Sequence, residues 1–368
     1  MKKIEDILAD LVAFKTDKFE KTNEPIINYV CALLDEENVP YHRIKNEKTG
    51  LESLIAGINF DFPEEKAPLA MFVCHLDTFP TDEKLWETNP YTLVEKEGVL
   101  YGLGTVDAKG FAALCLNAIP LIKQTGKSVL LGFSADADSD FLTIKDMMRF
   151  LKKRKNRPTY AFVGKPTGMQ IVTASPGYVG FRTIVTSPGG HAVHKNVASA
   201  LYAGSEMIAF IERMGVLYKP MATYFNVGVA KGGVARNRIA DRFEFEWEMR
   251  FTYKGPTAVA MYHITKLHRK VHGANNVEID LKIEQTFPAF VEGKHTRIVK
   301  LLQKINKEKQ LYQVDYPTEA AFTKRNRIKT VIIGPGEEAV ARKPNEHVLA
   351  SELYRCQTML VKFLNKIN

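Results

Sequence analysis

The sequence predicts an α/β protein with a mixed sheet, interrupted by a smaller two-layer α+β domain. Up to residue 177, short apolar runs alternate with segments of helical apolar spacing, which is typical of a sheet with helices on both faces. Between residues 178 and 285 the segments alternate between polar and apolar residues, and the first pattern returns at 286. We therefore predict a main α/β domain made of residues 1–177 and 286–368, with an inserted domain at 178–285.

The elements of the main domain follow from these two periodicities. Helical apolar spacing predicts helices at 4–14, 25–36, 108–123, 143–152, 296–307 and 349–367. Short apolar runs predict strands at 54–58, 67–74, 127–133, 160–163 and 330–333, and residues 86–95 are interpreted as a loop entering a strand. Because strands alternate with helices, the sheet is expected to be parallel or mixed.

The inserted domain has its own order of elements. The pattern predicts strand, helix, strand, strand, helix and strand at 178–185, 199–214, 223–229, 237–251, 257–272 and 277–283. Charged and apolar residues alternate most clearly over 242–250, which predicts an antiparallel strand with one exposed face.

Composition indicates an ordinary globular protein. The 368 residues suffice for two domains, and 45% of them are hydrophobic and 25% charged. No apolar run is long enough to cross a membrane, and the acidic amphipathic start differs from a signal peptide, so we expect a cytoplasmic protein. The four scattered cysteines are expected to be free thiols.

The net charge of +9 raises the possibility of a nucleic-acid partner. However, the basic residues are spread along the chain, and the densest group, 152–157, lies at a predicted helix end, where cations are favourable. We therefore expect a lysine-rich solvated surface and no nucleic-acid partner.

The stretch from Met71 to Asp107 carries the first candidate site. His75 and Asp77 follow a buried strand, at the end of the sheet where α/β proteins bind ligands. A His-x-Asp pair there suits a metal ligand with an orienting carboxylate, although a structural hydrogen-bonded pair would look the same. Asp107 follows a Gly-rich turn and precedes an apolar helix, which predicts a firmly held carboxylate.

Several short motifs, taken together and in order, resemble the family of co-catalytic zinc amidohydrolases. This family includes acetylornithine deacetylase, succinyl-diaminopimelate desuccinylase, aminoacylase and glutamate carboxypeptidase, of which the first is the most similar. The motifs are His75-Leu76-Asp77-Thr78, Tyr101-Gly102-Leu103-Gly104-Thr105-Val106-Asp107, Ala135-Asp136-Ala137-Asp138, Gly164-Lys165-Pro166-Thr167, Gly190-His191, Asn237-Arg238-Ile239, Thr318-Glu319-Ala320, Gly334-Pro335-Gly336 and Pro344-Asn345-Glu346.

The resemblance implies a role for each matching residue. His75 matches a ligand of the first zinc (or cobalt) ion, Asp77 its orienting carboxylate, and Asp107 the aspartate that bridges two metals. His191 matches the histidine that the insert brings to the transition state as an oxyanion partner. The substrate-binding positions are Asn237, Arg250 and Thr318. In such proteins the insert also acts as a lid and dimerisation domain, which implies a homodimer for this chain.

The sequence departs from the family at the metal site. Where the family has a general-base carboxylate followed by a ligand of the second zinc, this chain has Ala137 and Asp138. A first-zinc carboxylate is replaced by Lys165, and the last histidine ligand by Arg342. Protonated lysine and arginine have no lone pair for a metal, and alanine cannot move a proton.

The replaced charges suggest a substitution hypothesis. Lys165 and Arg342 would stand at the zinc positions and form ion pairs with Asp107 and Asp138, so that the charges sum to zero without metal. We then expect no metal, or at most one weakly bound ion, and little or no hydrolysis. The protein would bind a small amino-acid-like or N-acyl amino-acid ligand.

Other interpretations remain open at the level of sequence. Lys165 could point to solvent and leave a one-metal site of His75, Asp107 and Asp138, or it could act as a nucleophile. The missing base could be replaced by Asp136 or Asp140. A working metal-dependent deacetylase, with one metal or a relocated base, is therefore the alternative function. A new reaction that uses Lys165 and Arg342 on an anionic substrate is a third.

Overall fold

A computed structural model describes residues 2–16, 22–62, 67–137, 139–194, 196–252, 257–272 and 276–367. Asp138 therefore lies outside the described residues. The chain divides into two compact units. The first unit consists of Met1–Ala174, Val291–Gln313 and Thr318–Asn368, and the second of Ser175–Phe290 and Val314–Pro317.

Helices and strands cover most of the described chain. The helices are α1 (Ile4–Ala13), α2 (Glu24–Glu36), α3 (Lys109–Asn117), α4 (Ile119–Gln124), α5 (Leu142–Lys153), α6 (Ala200–Tyr218), α7 (Thr257–His272), α8 (Arg297–Asn306), α9 (Ala320–Arg325) and α10 (Ala350–Lys366). The strands are β1 (Tyr41–Lys45), β2 (Glu52–Ile58), β3 (Ala70–His75), β4 (Val94–Lys96), β5 (Val99–Tyr101), β6 (Val129–Ser134), β7 (Tyr160–Val163), β8 (Val172–Ser175), β9 (Gly177–Thr186), β10 (Gly190–His191), β11 (Thr223–Gly232), β12 (Arg238–Ile239), β13 (Arg242–Phe251), β14 (Glu278–Phe287), β15 (Phe290–Val291), β16 (Tyr312–Gln313), β17 (Lys329–Ile332) and β18 (His347–Leu349).

The first unit is built on a mixed sheet with the order β1-β2-β6-β3-β7-β17-β8-β15, and β16 pairs with β8. The central strands β6, β3, β7 and β17 are parallel, whereas β2 and β8 are antiparallel to their central neighbours. Every residue of β3, β6 and β7 is buried, which explains their unbroken apolar runs. The predicted α/β fold with a mixed sheet is thus confirmed.

Several elements of this unit differ from the prediction, which missed the short elements β5, β16, β18 and α9. Two further differences have a clear physical cause. The helix expected at 108–123 is divided into α3 and α4 around Ala118, because Pro120 occupies the first turn of α4 and cannot continue the hydrogen bonds of α3. The edge strand β1 is additional, and its half-exposed sequence, Tyr-His-Arg-Ile-Lys, contains no apolar run that would predict it. Among the described residues no helix combines the length and hydropathy needed to cross a membrane.

The second unit contains a four-stranded antiparallel sheet with the order β11-β13-β9-β14. Its main elements follow one another in the predicted order: β9, α6, β11, β13, α7 and β14. The short strand β10 is additional, and the strand predicted at 237–251 is divided into β12 and β13. The core includes the stacked rings of Phe181 and Trp247, whose centroids are 3.9 Å apart, together with Met207 and Ile211 of α6. The alternation along β13 places its apolar side chains in this core.

Close packing of α3 on the central sheet leads to the first prediction. A Cβ atom at Gly164 would collide with the Phe111 ring, so Gly164→Ala should lower the free energy of unfolding by roughly 1–3 kcal/mol. At Gly293, also in the first unit, the nearest atom would be 3.4 Å away. Urea unfolding should show little change for Gly293→Ala, and equal effects of the two variants would contradict this packing argument.

Candidate functional site

The candidate site lies where the parallel strands of the first unit end. His75 is the last residue of β3, and Lys165 follows β7 by two residues. Asp107 lies between β5 and α3, and Arg342 follows the short 3₁₀ helix Glu338–Val340. Because parallel strands share one carboxyl edge, residues from distant parts of the sequence meet at this point.

A buried carboxylate, that of Asp107, is the centre of the site. Its Oδ1 atom lies 2.8 Å from Lys165 Nζ and 3.0 Å from His75 Nε2. Its Oδ2 atom lies 2.8 Å from Arg342 Nη2. Burial acts to raise the pKa of Asp107, but the Lys165 ammonium, His75 and the Arg342 guanidinium together hold that pKa well below its usual range. Asp107 is therefore an ionised group with a cation at each oxygen.

The two cations differ in their exposure to solvent. Lys165 is buried, with only 2% of its side chain exposed, so it does not point to solvent. The Arg342 side chain is 26% exposed and also lies 3.8 Å from Glu338 Oε1. The backbone of Arg342 is left-handed, with φ 60°, a conformation that non-glycine residues seldom adopt. Arg342 is thus the cation that a ligand could reach.

The His75 ring is held from both sides. Its Nδ1 atom lies 2.9 Å from the backbone carbonyl of Asp77 and 3.4 Å from Asp77 Oδ1. A carbonyl only accepts hydrogen bonds, so Nδ1 carries a proton, and the backbone of Asp77 orients the ring at closer range than its carboxylate does. The Nε2 atom faces Lys165 Nζ at 2.6 Å.

The charge state of His75 reflects opposing influences. Burial and the Lys165 ammonium act to lower the pKa of His75, while hydrogen bonds to Asp107 and Asp77 act to raise it. The raising influences prevail, and the pKa of His75 lies well above its usual value. His75, Asp107 and Lys165 therefore form one buried polar cluster in which the charge of each group depends on the other two.

Two buried glutamates, Glu346 and Glu319, support this cluster. In the sequence, their only distinguishing feature is that each stands in one of the family motifs. Glu346 accepts hydrogen bonds at 3.0 Å from the backbone N–H groups of Val106 and Asp107. Burial raises the pKa of Glu346 to about 7. Glu319 accepts a hydrogen bond from Ser134 at the end of β6, and burial raises the pKa of its carboxyl group as well.

The segment that follows β6 shows why Asp136 is not placed to act as a base. Its carboxylate accepts hydrogen bonds from the backbone and hydroxyl of Thr143 and from the backbone of Leu142, so it holds the first turn of α5. Ala137 is buried and offers no polar side chain. The next residue, Asp138, is outside the described part of the chain, so its predicted ion pair stays a prediction.

Thr318 belongs to the first unit, and the other predicted ligand-binding residues belong to the second. Thr318 is fully buried and precedes α9. In the second unit, β10 pairs with β12, and the Ala192 N–H donates to the Asn237 carbonyl, which brings His191 and Asn237 together on an exposed surface. Arg250 lies on β13, where its Nε atom is 2.8 Å from Glu248 Oε1.

The described residues do not supply a set of zinc ligands. They contain no group of three or more His, Cys, Asp and Glu side chains arranged to hold a metal. Zinc requires lone pairs that converge on one point, whereas the Asp107 oxygens and His75 Nε2 face Lys165 Nζ and the Arg342 guanidinium. In this arrangement a zinc ion would have to displace a cationic side chain to reach these donors.

The sequence and the fold correspond to a known family of peptidases. The model of peptidase family M20/M25/M40 matches residues 71–366, and the chain belongs to this family. Curated relatives include the acetylornithine deacetylase of Myxococcus xanthus, which is 27% identical over 369 residues, spanning 96% of this chain and 95% of the relative. That of Pasteurella multocida is 26% identical over 307 residues, spanning 79% and 78% of the two chains.

Solved structures share the fold at low sequence identity. A tripeptidase from Staphylococcus aureus has a TM-score of 0.82 at 17% identity and covers 98% of this chain and 97% of its own. A metallo-carboxypeptidase of family M20 from Sulfolobus solfataricus has a TM-score of 0.75 at 15% identity and covers 99% of both chains. These likenesses establish the architecture of the chain.

The raised pKa of Glu346 leads to a prediction about stability and pH. Because folding moves this pKa from 4.5 to about 7, the folded chain holds a proton that the unfolded chain releases, and stability falls as pH rises through this window. The contribution of Glu346 should amount to roughly 3 kcal/mol. Glu346→Gln should flatten the decline between about pH 5 and 8.

Urea unfolding at several pH values measures this effect. Glu36→Gln, at an exposed position of α2, removes one carboxylate elsewhere and serves as the matched control. A slope that is unchanged in Glu346→Gln relative to this control would show that Glu346 is not the titrating group.

Proposed function

We propose that this chain is an acetylornithine-deacetylase-like protein of family M20 in which two cations replace the metal ions. It binds a small amino-acid-like or N-acyl amino-acid ligand and has little or no hydrolase activity. The observation that carries the proposal is the double ion pair of Asp107, with Lys165 at one oxygen and Arg342 at the other.

Electrostatics explain why such a replacement would be stable. An ionised carboxylate buried without a partner is very costly, and it can be compensated by metal ions or by hydrogen-bonded cations. Lys165 approaches both Asp107 and His75, the residues that match two ligands of the first zinc. Arg342 approaches the second oxygen of Asp107, which in the bridging role would face the second metal.

Hydrolysis of an amide bond by this chain would also lack its general base. The family's general base corresponds to Ala137, and loss of a general base typically reduces a rate by about 10²–10⁴. Asp136 is engaged by the first turn of α5 and is not free to take over this role. The loss of the base at Ala137 and the engagement of Asp136 both favour ligand binding over hydrolysis.

The ligand would be recognised by groups that the family uses for substrate. We assign this role to His191, Asn237, Arg250 and Thr318, with Asp77 orienting His75 as in the family. The partly exposed guanidinium of Arg342 suits a carboxylate or acyl oxygen of the ligand. The protein is proposed to work as a cytoplasmic homodimer through residues 178–285, and its four free, buried cysteines fit a reducing compartment.

An active metal-dependent deacetylase, with one metal or a relocated base, is the second candidate. The similarity to proteins named acetylornithine deacetylase over most of the chain favours it. In that case Lys165 would have to leave Asp107 and His75 when metal binds, because their lone pairs would be needed by the ion.

Metal content and turnover distinguish the two candidates. After purification without chelator and incubation with Zn²⁺ or Co²⁺, elemental analysis should find less than one ion per chain. No metal-dependent hydrolysis of N-acetylornithine is expected. Metal-dependent turnover that disappears in His75→Ala would establish the deacetylase instead.

Restoring the family residues provides a second test. The triple variant Ala137→Glu/Lys165→Glu/Arg342→His supplies a base and two ligands, and it should bind zinc measurably by calorimetry. Lys165→Met should bind no zinc and should lose roughly 3–5 kcal/mol of stability, because the buried Asp107 Oδ1 atom would lose its ammonium partner and keep only His75. If the triple variant folds but gains no zinc affinity, the two cations do not stand at metal positions.

A further inference from the structure

A second candidate site lies at the end of the central strands that is opposite to the Asp107 cluster. It is a cavity of about 610 Å³ whose lining includes five basic side chains. These are Lys152, Lys155, Arg157, Arg325 and Arg327. None of the described lining residues is acidic, and the other side chains there are one amide and four apolar groups. The neighbouring Glu64 and Glu65 fall outside the described residues.

Topology separates this cavity from the Asp107 cluster. Arg157 precedes β7, and Lys165 follows it. Arg325 and Arg327 likewise precede β17, which runs parallel to β7. A strand of four residues is roughly 13 Å long, so the two sites occupy opposite ends of the same strands.

Four of the five cations have no carboxylate partner among the described residues, unlike basic residues nearby. Within the described chain, no ion pair is found for Lys152, Arg157, Arg325 or Arg327, which are all exposed. Nearby, by contrast, Arg149 pairs with Asp146 and Lys324 pairs with Glu292, as surface cations often do. Like charges close together repel one another, so a cluster of this kind gains most from a bound anion.

Helix ends explain only part of the cluster. Both α5 and α9 end at the cavity, where Asn156 N donates to Leu151 O at 3.1 Å and Ile328 N donates to Thr323 O at 3.3 Å. Lys155 and Arg327 occupy the left-handed positions of these ends, at φ 61° and 62°, where glycine is usual. Cations in the last turn of a helix are favoured by the helix dipole, but only weakly at exposed positions.

A helix end does not explain the position of Arg157. It lies four residues beyond the end of α5, outside the range of the helix dipole, yet it lines the same cavity. Three arginines from two separate connections therefore converge on one space. Arginine presents a planar fork of donors that matches phosphate oxygens.

We propose that this cavity binds a small anion that carries two or more phosphate groups. Its volume lies within the range of about 300–1,000 Å³ that is typical of small-molecule sites and exceeds what one phosphate ion would fill. The concave shape and the separate origins of the arginines favour a compact polyanion over an extended nucleic acid. This inference is independent of the function proposed for the Asp107 cluster.

Binding of inorganic tripolyphosphate to the full chain tests the proposal. Calorimetry at low salt and at ~0.15 M salt should show saturable binding to one site, weaker at the higher salt. Arg325→Gln/Arg327→Gln should weaken binding about tenfold or more, because it removes two phosphate-binding forks. Arg297→Gln/Arg355→Gln removes two exposed arginines of α8 and α10, changes the net charge equally, and should leave the affinity within about twofold.

Each other outcome contradicts the proposal. Equal weakening in the two double variants would mean attraction to the overall positive charge only. Tight binding of inorganic phosphate with no gain for tripolyphosphate would mean a site for a single anion. Binding of a short DNA duplex that tripolyphosphate does not displace would mean a nucleic-acid surface. Circular dichroism of both variants should show the wild-type fold.

Discussion

The buried charge of Asp107 is the constraint on which the rest of the site depends. The backbone of this residue is fixed by Glu346, and its two oxygens need positive partners because water does not reach them. Metal ions can meet this need, and so can an ammonium and a guanidinium with good geometry. The same scaffold can therefore stay folded with either solution, although only one of them activates water.

Sheet topology brings the partners of Asp107 together. The parallel strands β3, β6 and β7 bring His75, Ser134 and the segment with Lys165 to one edge. The backbone of this edge is determined by buried strands and by the packing of α3, and these do not depend on which side chains end the strands. A change of ligand type thus leaves the architecture intact.

Much of the fold and part of the site could be predicted from the sequence, and the misses have physical causes. Buried strands such as β3 are visible as apolar runs, whereas the polar edge strand β1 has no such signal. Lys165 and Arg342 can be recognised in the sequence because they are cations at positions that match metal ligands of the family. The supporting role of Glu346 could not be predicted, because burial of a carboxylate depends on contacts with residues about 240 positions away.

The paired cations around Asp107 also bear on how such a site can change over time. Exchanging Lys165 alone for a carboxylate would place two anions beside each other, with His75 and the guanidinium of Arg342 left to compensate them. Exchanging Arg342 alone would leave one oxygen of Asp107 without a cation. Each single exchange would therefore cost stability at this buried carboxylate, so the two cations would resist replacement one at a time.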